Sequence, residues 1–176
     1  MILGLDISTS ITGATVLDKN GVCVYNEFWD TRNKNKFPTH FDKARHLRQK
    51  LEDIKSRFQV SEVYIEKPFM FFNSGGSSAK TMSSLQNYNG MISWICSDAF
   101  KKDPDYLTAS EARKAVGIKV PRGENSKQKS FDFVVANEPT FIVEYTRNGN
   151  VKPGIMDKSD SWVIAKAGYN LCIAKS

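Results

Sequence analysis

The first ten residues, Met1-Ile-Leu-Gly-Leu-Asp-Ile-Ser-Thr-Ser10, constrain this chain more than any other stretch. Ile2, Leu3, Leu5 and Ile7 surround a single acid, Asp6. A short apolar run of this kind reads as a buried strand. An ionised carboxylate in such a strand is expensive unless a cation meets it. Ser8, Thr9, Ser10 and Gly13 suggest a turn into a second strand. What faces Asp6 is therefore the question for the rest of the chain. The run begins at residue 1, so the expectation is that no signal peptide precedes it.

A chain of 176 residues is most simply one domain, spanning 1–176. At that length it can bury about two-thirds of its unfolded surface and needs no disulfide. Cys23, Cys96 and Cys172 are odd in number, widely spaced and set among apolar neighbours, and no Cys-x-x-Cys pair suggests zinc. They read as reduced core residues. No apolar run reaches the ~18 residues of a membrane span. The cytosol, of a cell or of an infected host, is the expected compartment. Net charge is +6, from 25 basic and 19 acidic residues, which fits a polyanionic partner without requiring one.

Ile11 to Asp18 reads as a second strand, Lys19-Asn20-Gly21 as a hairpin turn with positive φ at its centre, and Val22 to Trp29 as a third strand. Asp30 to Pro38 is a polar loop. Thr39 with Asp42 three residues on forms a capping pair. Phe41, Ala44, Leu47, Leu51, Ile54 and Phe58 then mark one apolar helix face. The opposite face, with Lys43, Arg45, Arg48, Lys50, Lys55 and Arg57, reads first as a solvated surface. Val63-Tyr64-Ile65 is a strand ending in Glu66, and Pro68 stops its pairing. Lys67 to Gly76 is a loop, and a long helix runs from Ser77 or Ser78 to Phe100. Tyr106 to Thr108 is a fifth strand, Ser110 caps a short helix, and Gly117 to Asn125 is a basic loop. Lys127 to Asn137 is helical, Thr140 to Tyr145 a strand, Asn148-Gly149 a small hairpin, and Asp157 to Ala174 the last helix. The fold class is α/β, a mixed five-stranded sheet with helices on both faces, and sites in such sheets lie beyond strand ends.

That arrangement places the acids. Parallel pairing of the first and fourth strands would set Asp6 and Glu66 on neighbouring strands at one end of the sheet. Asp157 and Asp160 lie three apart at the start of the last helix and share a face. If that helix packs on the first strand, four carboxylates converge. Such hard oxygen ligands suit Mg²⁺, or Mn²⁺ in its place. Two ions roughly 4 Å apart can activate water and stabilise the leaving oxygen of a phosphodiester. Plainer explanations exist for each acid taken singly. Asp6 could cap a turn through Ser8 or Thr9, and Glu66 could pair with Lys67 or Lys80. Asp157 could be an N-cap, and Asp160 could suit a first helical turn.

Gly4-Leu5-Asp6-Ile7-Ser8, Tyr64-Ile65-Glu66 and Asp157-Lys-Ser-Asp160-Ser-Trp-Val-Ile-Ala165 together resemble the three acidic motifs of RuvC-type Holliday junction resolvases. The resemblance covers nearly the whole chain in order and spacing. It implies a ribonuclease H-like fold, a homodimer, and Mg²⁺-dependent symmetric nicking of four-way DNA junctions. It also implies that Asp6, Glu66, Asp157 and Asp160 ligate the metal. Phe69 stands where the family has a Phe that stacks on junction bases. Lys114 and Lys127 stand near its basic residues at the scissile phosphate, with Arg113 as the other residue that could fill the first position. The chain departs from the family at Ser161, where Ala often follows the last acid, at Asn89-Gly90 in place of Arg-Gly, and in a longer Thr140 to Gly154 stretch.

Beyond the acids, Phe69, Phe71 and Phe72 could pack under their loop or stack on opened bases. The basic run that includes Lys114, Lys119, Arg122, Lys127 and Lys129 could serve solubility or contact phosphate, which would make binding salt-dependent. The long helix could be a dimer seam, suiting a two-fold junction. Three rivals share parts of the pattern. An actin-like or sugar-kinase-like ATPase would need two such domains. A related nuclease for flaps, forks or RNA–DNA hybrids has the same acids. A non-catalytic DNA-binding module would not need all four.

Overall fold

Side-chain alternation along the first strand sorts the molecule into layers. In β1 (Ile2–Asp6), Leu3 and Leu5 enter one core, while Ile2 enters the other and Gly4 meets the last helix. The computed structural model describes residues 1–68 and 79–174. β2 (Ile11–Leu17) and β3 (Cys23–Asp30) complete an antiparallel meander with β1. β4 (Glu62–Glu66) lies parallel to β1 on its other side, and β5 (Asp105–Leu107) lies parallel to β4. The sheet order is β3-β2-β1-β4-β5, the mixed five-stranded sheet that the sequence predicts.

One face is covered by α1 (His40–Arg57) and α2 (Ala79–Phe100). Leu47, Leu51, Ile54, Ile92 and Cys96 close there over Leu3, Leu5, Val16 and Ile65. The other face carries α5 (Ile155–Ile173), flanked by α3 (Ala109–Val116) and α4 (Ser126–Asn137). Trp162, Val163 and Ile164 of α5 join Ile2, Tyr64, Leu107 and Val134 in a second core. Among the described residues no helix is long and apolar enough to cross a membrane, and the three cysteines are free.

The expected capping pair at Thr39 is present, each side chain bonding the other's backbone N–H. Three local expectations need correction. Thr108, not Ser110, caps α3, because Glu111 is the acid three residues on that completes its box. Thr140 to Tyr145 is not a strand. It joins no sheet, and its one bridge among the described residues is Tyr145 to Val151 across the Asn148-Gly149 turn. In the β2–β3 turn only Gly21 takes positive φ, and Asp18 closes the loop by accepting from the backbone of Asn20 and Val22. The start expected for the long helix at Ser77 or Ser78, and the Phe69-to-Phe72 loop, lie outside the described residues.

Candidate active site

Asp6 ends β1 and Glu66 ends β4. Leu5 pairs with Ile65 in the parallel ladder, so the next residue on each strand is an acid, and the two stand side by side. Both belong to the face that α5 covers. Ser8 closes the β1–β2 turn itself, donating to the Ile11 carbonyl at 2.7 Å and accepting from Ile11 N–H at 3.0 Å, so Asp6 is not its cap.

Glycines let α5 come down onto these strand ends. Gly13 pairs with Asp6 across the β1–β2 ladder. A Cβ there would lie 2.6 Å from the Asp157 carbonyl carbon and 3.0 Å from Ser161 Cβ. A Cβ on Gly4 would lie 2.7 Å from Ala165 Cα. Both contacts are too short for any side chain, so the bare strand backbone is the seat of the helix. Polar bonds then fasten its first two turns. The Thr15 and Ser161 hydroxyls share a buried hydrogen bond of 2.8 Å. Asn26 donates to Thr15 at 2.7 Å and to the Lys158 carbonyl at 3.0 Å. Gly154, in the left-handed conformation, caps α5 without a side-chain bond. Asp157 is therefore inside the first turn rather than its cap, and Asp160 lies one turn further in.

The four acids feel one another. Burial pushes the Asp6 carboxyl well above the carboxylate range, and the charges of Glu66, Asp160 and Asp157 push it further. Glu66 is raised to about 7, by burial and then Asp160, against the opposing pull of Lys127 and Arg113. Burial also raises Asp160 and Asp157, with Lys127 the strongest opposing charge at each. The Lys127 ammonium, from the first turn of α4, lies 3.0 Å from Asp160 Oδ2. Its partial burial disfavours the charged form, but Asp160, Asp157 and Asp6 outweigh that and raise its pKa.

This donor set is all carboxylate oxygen, held in a partly desolvated place with one lysine to answer four acids. That chemistry fits a hard divalent cation and no soft one. Among the described residues no three His, Cys, Asp or Glu side chains are gathered closely enough to form a ready-made metal cage. Asp160 is engaged by Lys127.

Comparison with known proteins yields fold rather than sequence kinship. No protein-family model and no curated protein matches this chain. Solved structures do match. Thermus thermophilus RuvC in complex with a Holliday junction substrate superposes with a TM-score of 0.65, covering 98% of this chain and 94% of that one at 11% identity. A second Thermus thermophilus RuvC structure gives 0.63, with 98% and 96% covered at 12% identity. The fold is that of RuvC. The yeast mitochondrial Holliday junction resolvase Ydc2 also matches, at 0.59, 12% identity, and 96% and 77% coverage.

Within this RuvC fold the sequence-predicted basic residues are dispersed. Lys127 meets the acids directly. Arg113, rather than Lys114, is the α3 cation that acts on Glu66 and Asp160. Lys114 borders a hollow of about 400 Å³ with Gly117, Ile118 and Lys119. Arg122 is exposed, and Lys129 pairs with Glu124 at 2.5 Å. Phe69 lies outside the described residues. Sequence reasoning missed Arg32, whose charge bears on Asp157 from the end of β3. Its one sequence signal is position, two residues after a strand that must end near Asp6. Ser161, the departure from the family's usual Ala, is accounted for by its bond to Thr15.

Proposed function

We propose that this chain is a single-domain, metal-dependent endodeoxyribonuclease that resolves four-way DNA junctions by symmetric nicks, acting as a homodimer in recombination and repair. The observation that supports it is that the charges of Glu66, Asp160 and Asp157 all bear on Asp6 under the first turns of α5, in a RuvC fold. These four side chains would hold Mg²⁺, with Mn²⁺ able to substitute. When bound, the metal supplies an activated water and neutralises charge on the phosphate. The chain's own part is to place the acids. β1 and β4 set two carboxylates in register, and Gly13 and Gly4 admit the helix that brings the others. Lys127, which pairs with Asp160 at 3.0 Å, would offer its ammonium to a phosphate held beside the acids. Arg113 adds a second cation on the same side.

The homodimer reading draws support from α2, where the large apolar Trp94 is 62% exposed. Two protomers related by a two-fold axis could each cut one of two opposed strands. The test is cleavage of a synthetic four-way junction with Mg²⁺, alongside flaps, forks, RNA–DNA hybrids and plain duplex. Paired symmetric nicks that vanish in Glu66→Gln are the expected outcome. Efficient cutting of ordinary duplex would defeat the junction-specific part.

A further inference from the structure

The acidic centre has cations on both sides, and only one side belongs to the basic residues discussed so far. Arg113 and Lys127 approach from α3 and α4, which flank α5. On the far side, the segment from residue 31 to residue 38 follows β3 and is tied to the acidic end of the sheet. Asp30 pairs with Ile11 at the last rung of the β2–β3 ladder. The Thr31 N–H and hydroxyl both donate to the Ser10 carbonyl, at 2.8 and 3.1 Å. Lys43 of α1 donates to the Thr9 carbonyl. Asn33 folds the segment by accepting from the backbone of Asn35 and Lys36, and buried Phe37 anchors its end. The result is an ordered shelf that leaves Arg32, Lys34 and Lys36 exposed beside the turn following Asp6.

The charges on this shelf differ from those on α1. There, Arg45, Arg48 and Arg57 are answered by Asp42, Asp98 and Asp53, at 2.8, 2.7 and 3.2 Å. On the shelf Arg32 pairs with Asp30 at 2.6 Å, Lys36 lies 5.2 Å from the Phe37 ring centre, and Lys34 bears on Lys43, cation against cation. Such a cluster is stabilised by an external polyanion.

We propose that residues 32–36 form a second phosphate-contact shelf, so that one DNA strand crosses the sheet end from β3 to β5 with the four acids midway. This rests on the DNA-nuclease reading above. A strand gripped at both ends holds its middle phosphate over the acids, where a single basic bank would let it pivot.

The test measures binding of a labelled four-way junction over a range of salt, with Ca²⁺ replacing Mg²⁺ to hold cleavage off. Lys34→Gln/Lys36→Gln is compared with wild type and with Lys50→Gln/Lys55→Gln, which removes two charges from α1. Loss of two phosphate contacts should make the log–log salt slope shallower by about 1.8 for duplex, or about 1.4 for a single strand. An unchanged slope in the shelf variant overturns the shelf and leaves the nuclease reading standing. An equal loss in the α1 variant also overturns it, since net charge would then explain the effect. Wild-type protein that binds no branched DNA overturns the nuclease reading and the shelf with it.

Discussion

Asp6 sits where an unpaired carboxylate costs most, next to three others and largely withdrawn from water. Removing one of the four charges should therefore help the metal-free fold while destroying function. Asp6→Asn is expected to raise the melting temperature without metal by a few degrees, about 2–4 °C per kcal/mol at this size. Junction cleavage should fall at least about 100-fold, on the scale of losing one well-placed charge-stabilising group. Glu66 gives a pH prediction. Its carboxyl is raised from 4.5 to about 7, so between those values the folded protein holds a proton that the unfolded chain has released. Stability from this group is thus greatest at low pH and is lost as pH rises towards about 7. His46 works the other way, since burial lowers its pKa and its contribution is lost as pH falls. Magnesium separates the two, because protons compete with metal for the acids but not for His46. The melting-temperature gain from Mg²⁺ should be several degrees at about pH 7.5 and much smaller at about pH 5.5. An equal gain at both would mean that these carboxyls do not take the ion.

At the scale of elements, the decisive contact is α5 against the glycines of β1 and β2. Gly13→Ala must move Asp157 away from Asp6, since the new methyl would meet the Asp157 backbone. Overpacking of this kind costs about 1–3 kcal/mol. Denaturant unfolding should show that loss, and junction cleavage should fall more than stability does. Ser161→Ala is the contrast. It removes a buried hydroxyl whose partner Thr15 keeps its bond from Asn26. About 1 kcal/mol should be lost, with cleavage staying within several-fold of wild type. A Ser161→Ala variant as inactive as Gly13→Ala would argue that this serine acts on more than helix seating.

At the scale of the whole molecule, the exposed apolar residue of interest lies on α2, on the face opposite α5. Trp94 stands out from α2, with the Arg48 guanidinium 6.0 Å from its ring centre. Light scattering is expected to give twice the chain mass, and Trp94→Glu to shift the balance towards monomer with the acidic end intact. A monomeric wild type that still makes paired nicks would remove the two-fold argument. Much of this architecture was readable in advance. The meander, α1 with its Thr39 cap, the parallel β1–β4 pair and the five-stranded sheet follow from alternation, helical spacing and turn residues. The candidate acids were readable too, since a strand-end Glu and a helix-start pair are visible as residue types in a pattern. The basic side was less so. Arg113 and Lys114 are neighbours in sequence, but one step along a helix turns about 100°, and only packing decides which faces Glu66. Thr140 to Tyr145 has the alternation of a strand yet joins no sheet, and no local pattern reveals that.

Sequence alone determined which residues carry charge, the succession of the sheet strands and main helices, and that an acid stands at the end of the first strand. Those are properties of neighbours within a turn or a strand, set by propensity and side-chain spacing. Only tertiary structure decided that Gly13 is the seat of α5, that Lys127 answers Asp160, and that Arg32 reaches Asp157. Each of those joins residues far apart in the chain, and their meeting depends on register and close approach, which the packed core settles as a whole.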